Sequence, residues 1–331
     1  MISYLGILLA FLAIAHALTT APSGALVVGT NSTSYTTVQA AVDALDTSSS
    51  DEQVIFIQAG TYKEQVYIKA LTGPLTIYGY SEDDSIYASN QATITYSDAL
   101  ANEDTDDETA TLRVWTSDFK MYNVDVKNTY GQSNDDGQAL ALSASAENQG
   151  YYACGFYGYQ DTILAETGAQ LYGKCYIEGA TDFIFGQEAA AWFDACDIRV
   201  LQASLGYVTA SGRSSDDDGY YVINNSTVAA AAGADVASGA FYLGRPWRDY
   251  ARVVFQDTSM TDVINSAGWS EWSAAEPNTD HVTFEEYGNT GAGSEGTRAS
   301  FASTLTEPIA ITAVLGSDYA SAVYYDAAYV S

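Results

Sequence analysis

From residue 54 onward the apolar positions come in runs of three or four, at 54–57, 66–68, 75–78 and 92–95, separated by Gly, Pro, Asn and Asp. Runs this short, rich in Val, Ile, Thr and Tyr, predict strands rather than helices. Ahead of them the spacing changes. Val38, Ala41, Val42 and Leu45 fall at i, i+3, i+4 and i+7, which predicts one amphipathic helix over 36–45 with Ser34 or Thr36 as its cap. Related segments then return along the chain: Asn123-Val-Asp-Val, Cys154-Gly-Phe-Tyr, Cys175-Tyr-Ile-Glu, Cys196-Asp-Ile-Arg, Asn225-Ser-Thr-Val and Asp257-Thr-Ser-Met.

The repeat is sharpest in the middle. Cys154, Cys175 and Cys196 are 21 residues apart, and Asp161 and Asp182 each lie seven residues after a cysteine. A constant period of this length with β-rich composition predicts a solenoid, one repeat per turn of a parallel β-helix. The expected fold is therefore all-β, a right-handed single-stranded parallel β-helix with a short N-terminal capping helix. No linker splits the chain, so residues 18–331 are read as one domain. Equivalent residues on successive turns stack about 4.8 Å apart. That sets Asp161 beside Asp182 on one face of one sheet. The stacked cysteines either form a disulfide, Cys154–Cys175 or Cys175–Cys196, or remain three thiols in an interior ladder.

Charge narrows the choice of partner. Twelve basic against 42 acidic residues give a net charge of −30, the opposite of a nucleic-acid footprint. Residues 1–17 hold no Asp, Glu, Lys or Arg and end in Ala15-His16-Ala17, which predicts a secretory signal peptide. Its apolar run is too short to span a membrane. A secreted, extracellular monomer is expected, with sequons at Asn31 and at Asn224 or Asn225. The stretch 101–109, five acids among nine residues, reads as a solvated loop.

Candidate chemistry follows largely by elimination. The mature chain keeps one histidine, His281, and has no Gly-x-Ser-x-Gly, dinucleotide or P-loop signature. The cysteines sit on separate turns, which does not suit a zinc site. Two carboxyls about 5 Å apart, by contrast, cannot both ionise easily, so one is held protonated as a general acid while the other serves as nucleophile or base. Gln138, 22 residues before Gln160, falls one turn earlier, so three turns present Gln138, Asp161 and Asp182 in a row. In a regular strand Gln160 and Asp161 would face opposite sides, and both reach one site only through a bend.

With these residues in place the chain resembles the pectin methylesterases, or pectinesterases, most closely their fungal members. The resemblance rests on Gly60-Thr-Tyr-Lys-Glu64, Gly137-Gln-Ala-Leu140, Tyr159-Gln-Asp-Thr-Ile-Leu164, Asp182-Phe-Ile-Phe-Gly186, Leu243-Gly-Arg-Pro-Trp247, Gly268-Trp-x-x-Trp272 and Glu286-Tyr-x-Asn-Thr-Gly291, in that order. It implies hydrolysis of galacturonate methyl esters in pectin, without metal or organic cofactor. By the same resemblance Asp182 is the nucleophile and Asp161 the general acid and base. Gln138 and Gln160 stabilise the oxyanion, and Arg245 orients Asp182. Trp247, Phe185 and Tyr159 are the expected substrate contacts. A polygalacturonase-like hydrolase, a pectate lyase and a non-catalytic polysaccharide-binding solenoid are the alternatives on the same fold. Methanol release separates the esterase from all three.

Overall fold

The computed structural model describes residues 17–29 and 34–331. The leader reading, except for Ala17, and the Asn31 sequon lie outside the described residues. Strands wind into three parallel sheets of eleven, seven and eight strands, a parallel β-helix. One coil runs Gln149–Tyr152, Gly155–Tyr157, Ile163–Ala165, and the next Thr167–Gly173, Tyr176–Gly179, Ile184–Gly186. Their registers pair Gln149 with Gln170, Gly155 with Tyr176 and Ile163 with Ile184. The 21-residue period of the sequence is thus one coil. Among the described residues no helix is long and apolar enough to cross a membrane.

Corners between sheets are made by left-handed residues. Asn123, Ala153, Lys174, Ala195, Asn225 and Asp257 form one stacked row with φ between 45° and 54°. Asn and Asp tolerate that region best among residues with a side chain, which suits Asn123, Asn225 and Asp257; Ala153, Lys174 and Ala195 hold the same conformation directly before Cys154, Cys175 and Cys196. Asn225 of the second sequon is exposed on this corner, while Asn224 is engaged, donating to Asp194 at 2.6 Å and accepting from Gln256 at 2.8 Å.

The interior is filled by ladders of like residues. Tyr151, Tyr172 and Phe193 stack at 5.0 and 4.4 Å between ring centroids. The Tyr151 and Tyr172 hydroxyls donate to Gln149 and Gln170 on the same strands, so neither phenol of this ladder is left without an acceptor. Cys154, Cys175 and Cys196 are all buried and free. Of the two arrangements open in the sequence, the thiol ladder is the one formed. Each Sγ–H donates to a carbonyl one coil earlier, at Met121, Tyr151 and Tyr172. Burial holds the Cys175 thiol well above its ordinary range. An aqueous thiol reagent is therefore expected to label none of the three in the native protein and all three after unfolding; labelling of the folded chain would contradict the ladder.

The N-terminal end of the β-helix is closed by a short helix. The capping helix spans Val38–Val42, and its N-cap is Thr37 rather than Ser34 or Thr36, with Thr37 Oγ1 accepting from Ala40 at 3.2 Å. Glu64 supplies a second cap: its carboxylate accepts from the Val38 and Gln39 amides, each at 2.8 Å. The Gly60-Thr-Tyr-Lys-Glu64 motif is thus structural. The C-terminal segment packs sideways instead: Val314, Leu315, Tyr324 and Tyr329 lie over Tyr122, Tyr152, Leu171 and Trp192 on the outer face of the middle of the eleven-stranded sheet. Nothing in the 305–331 pattern of alanines and tyrosines has a helical or strand period, so this cover was not legible in the sequence.

Candidate active site

Asp161 and Asp182 occupy the corner that leads into the seven-stranded sheet. Both have left-handed backbones, φ 61° and 50°. Gln160 pairs with Thr181, and two residues after each aspartate Ile163 pairs with Ile184. The two carboxyls therefore sit at equivalent positions one inter-strand step apart, about 4.8 Å. The left-handed kink is the bend that the sequence required. It breaks strand alternation at Asp161, so Gln160 and Asp161 line the same cavity.

That cavity holds about 230 Å³ and is lined by Gln138, Gln160, Asp161, Asp182, Phe185, Arg245 and Trp247, together with Asp106, Ala210 and Trp272. Gln138 reaches it because the Ala139 amide donates to the Gln160 carbonyl at 3.1 Å, docking one turn on the next. Its floor is a separate apolar cluster of Ala110, Leu140, Leu164, Phe185 and Ala210, with Trp247 and Trp272 against it. Phe185 points outward, opposite to the interior Ile184. Gly212 has no side chain because Trp247 lies on it: a Cβ there would stand 2.3 Å from the indole. Tyr159 is placed differently from the expectation. It packs against the interior core and donates to the Gln202 carbonyl at 3.2 Å, away from the cavity. It lies in the bend that follows the strand Gly155–Tyr157, before the kink.

Arg245 grips Asp182 with two parallel bonds, Nε to Oδ1 at 2.9 Å and Nη2 to Oδ2 at 2.6 Å. Its guanidinium carbon lies 4.1 Å from the ring centroids of both Tyr207 and Trp272. The arginine is thus clamped between two aromatic planes, a geometry lysine cannot reproduce. The partner rings explain the second tryptophan of Gly268-Trp-x-x-Trp272. The first, Trp269, is core and donates to Glu286, which also holds Arg298 at 2.7 Å.

Electrostatics separate the two acids. Asp161 and Asp182 are only 7% and 6% exposed. Burial lifts both above the usual carboxylate range, so neither sits low. For Asp182 the bonds and charge of Arg245 oppose that lift. Asp161 has no such partner bond: burial first, then the charges of Asp182 and Asp106, hold it well above. Of the two, Asp161 is the acid held higher, and its Oδ1 has no hydrogen-bond partner in the protein.

Asp106 was missed by the sequence reading. The stretch 101–109 is not a free loop: it contains the helical turn Asp106–Thr109 and is pinned by Asn128, whose side chain donates to the Asp98, Thr109 and Leu140 carbonyls. Asp106 Oδ1 is buried without a partner, as is Gln138 Oε1. An acidic run has no periodicity that would have singled out one member. His281 stacks on Tyr250 at 4.7 Å and does not line the cavity. Among the described residues no three His, Cys, Asp or Glu side chains are grouped to hold a metal ion.

This arrangement has relatives. The pectinesterase family model matches residues 25–307. A pectinesterase of Aspergillus niger is 59% identical over 327 residues, 98% of this chain and 98% of its own. One from Aspergillus aculeatus is 58% identical over 319 residues, 95% of each. Among solved structures, the pectin methylesterase from Aspergillus niger superposes with a TM-score of 0.87 at 39% identity, over 95% of this chain and 100% of that one. The carrot pectin methylesterase gives 0.82 at 28% identity, over 93% and 98%. The chain belongs to the pectinesterase family, carboxylic ester hydrolases that remove methyl groups from pectin.

Proposed function

We propose that Asp182 and Asp161 divide the work of this esterase as nucleophile and general acid/base. The observation that supports it most is the unequal treatment of two stacked carboxyls: Asp182 is forked by Arg245, and the buried Oδ1 of Asp161 has no partner. In the reaction, an oxygen of Asp182 attacks the ester carbonyl carbon of a galacturonate unit. The electron pair of the C=O moves onto oxygen, where the amide N–H groups of Gln138 and Gln160 receive it. Collapse restores the C=O and breaks the bond to the methoxy oxygen, which leaves as methanol with the proton of Asp161. The acyl group is now an anhydride on Asp182. Asp161, ionised, takes a proton from water, and the hydroxide adds to the same carbonyl carbon. Expulsion of the Asp182 carboxylate leaves the free galacturonate acid. Trp247 and Phe185 provide the apolar wall for the ring and its methyl group.

The test is methanol release from highly methylated pectin by the wild type and by Asp182→Asn. Methanol from the wild type alone supports the assignment, and undiminished release by the variant overturns it. Asp106 gives a second, independent check. Its charge contributes to holding the proton on Asp161, and the general acid works only while protonated. Removing the charge in Asp106→Asn lowers the Asp161 pKa, so the alkaline limb of kcat/KM is expected to move to lower pH, and Asp106→Glu to restore it. A limb that does not move removes Asp106 from the proton balance.

We also propose that the enzyme is secreted as a monomer, residues 1–17 serving as its leader. The uncharged apolar run and the small residues Ala15 and Ala17 support the leader.

A further inference from the structure

Two overlapping acceptor sequences for an N-linked glycan stand side by side, Asn224-Asn-Ser226 and Asn225-Ser-Thr227. Both are complete, so the sequence does not choose between them. The fold gives the two asparagines opposite surroundings. Asn224 ends the strand Tyr220–Asn224 and belongs to a column of polar side chains on the outer face of the eleven-stranded sheet, paired with Asp194 on one side and Gln256 on the other. Asn225 is the next residue, at the left-handed corner with φ 45°, and is exposed. Its backbone amide donates to the Gln256 carbonyl at 3.1 Å, and its side-chain amide has no hydrogen-bond partner among the described residues.

The column is where the C-terminal segment docks. Asp194 is fully buried and accepts from Asn224 Nδ2 at 2.6 Å, from the Trp192 indole at 3.3 Å, and from the amide and hydroxyl of Ser331 at 2.6 and 2.8 Å. Gln256 donates to Asn224 Oδ1 at 2.8 Å and to the Ile309 carbonyl at 3.1 Å, while its own Oε1 accepts from the Ile309 amide at 2.9 Å. Asn224 thus bridges the two side chains that hold Ile309 and Ser331 on the sheet. A sugar on its Nδ2 would stand between Asp194 and Gln256 and occupy the ground that the docked segment covers. Without that docking Asp194 is a carboxylate short of donors, a costly state in a buried setting.

We propose that Asn225 carries an N-linked glycan, and that Asn224, despite its own sequon, stays unmodified because the C-terminal segment closes on it. In the transfer, Asn225 Nδ2 attacks C1 of an oligosaccharide carried on a polyprenyl pyrophosphate. The bond from C1 to the pyrophosphate oxygen breaks, the pyrophosphate leaves with the electron pair, and one Nδ2 proton is released. Asn225 suits this role because its side-chain amide gives up no bond and its corner faces solvent. The catalytic pair lies at the next corner of the coils. Between the two corners runs the strand Thr227–Ala230, roughly 13 Å long. That strand is also two steps along the eight-stranded sheet from Tyr176–Gly179, which leads to Asp182. The glycan therefore flanks the eight-stranded face and leaves the cavity open.

This rests on export of the chain, and the test reads the two apart. The full chain is expressed in a secreting eukaryotic host, in parallel with the same chain carrying that host's leader in place of residues 1–17. The tryptic peptide 214–248 holds both asparagines, and electron-transfer fragmentation places the sugar on one of them. The expected result is a glycan on Asn225 alone, with methanol release unchanged after an amidase removes it and leaves Asp there. A bare peptide in the secreted protein, or a glycan on Asn224 of the wild type, overturns the assignment. Two variants test the exclusion. Asn224→Ala keeps the Asn225 sequon and is expected to stay glycosylated while melting about 2–6 °C lower, since Asp194 loses a donor and the docked segment its anchor. Asn225→Asp tolerates the left-handed backbone and is expected to lose the glycan and melt within about 1 °C of the deglycosylated wild type. Asn224→Ala melting as the wild type overturns the role given to Asn224. So does an Asn225→Asp chain glycosylated at Asn224 with its melt unchanged. Secretion only with the host leader sets aside the leader reading, while the peptide still reports on Asn225.

Discussion

Asp182→Asn is expected to lower kcat for methanol release by at least about 10³-fold while leaving the β-helix intact. Loss of a nucleophile whose partners remain typically costs this much or more. Asn is the right replacement because residue 182 has φ 50°. Asn accepts that conformation, whereas Ala adds backbone strain of roughly 1 kcal/mol and confuses folding with chemistry. Asp161→Asn is expected to lose turnover as well and to report through stability. The folded pKa of Asp161 lies well above its unfolded value. The stability linked to its proton is therefore complete below the unfolded pKa and is lost as pH rises through the folded one. A neutral amide does not suffer that loss. Asp161→Asn is thus expected to melt above the wild type at neutral pH, with the gap closing as the solution is acidified. A variant that melts lower at every pH would show that Asp161 is a structural acid.

Arg245→Ala is expected to remove most activity and to destabilise the fold, because it leaves Asp182 buried without a counter-charge. Stripping one partner from a buried pair costs about 3–5 kcal/mol, and the aromatic clamp of Tyr207 and Trp272 loses its filling. The sign of the pH effect is fixed by the geometry. Arg245 opposes the burial-driven rise of Asp182, and the nucleophile acts only when ionised. Without the guanidinium the acid limb of the rate profile moves to higher pH. Arg245→Lys keeps a charge but neither the fork nor the stacking, and it is expected to recover only a small part of the lost rate. Wild-type activity in Arg245→Lys would mean that charge alone suffices. These outcomes are read from kcat/KM against pH and from thermal melts of the same samples.

The stacked features were legible in the sequence because a solenoid converts sequence period into distance. Asp161 and Asp182 share an offset from Cys154 and Cys175, and that offset alone puts them side by side. Gln138 followed by the same count. Where contact depends on a loop rather than on period, the sequence was silent. Asp106 and Asp107 look like neighbours in one solvated run. In the fold Asp106 faces the cavity, while Asp107 ties down Arg113, Trp115 and Ser143. Tyr159 was misplaced for a related reason. Its motif is shared with Asp161, but it sits in the bend before the left-handed kink at φ 61° and turns toward Gln202 rather than into the cavity. The Thr37 cap was missed by one position because Thr36 and Thr37 differ only in which hydroxyl reaches the Ala40 amide.

The order in which the coils supply the site has a consequence for how the chain becomes an enzyme. Asp161 and Asp182 come from adjacent coils, so their strands can meet as soon as one inter-coil contact forms, a closure of short sequence separation. Arg245 joins Asp182 across 63 residues, with the strands Gly206–Ser211 and Phe241–Gly244 laid down between. A nascent β-helix growing from its N-terminal end therefore carries the two acids before their arginine. Until the later coils arrive, the second carboxyl lacks its guanidinium and also the cavity walls supplied by Ala210, Trp247 and Trp272. The burial of the nucleophile and the ion pair that opposes it are thus delivered together, by the same late coils.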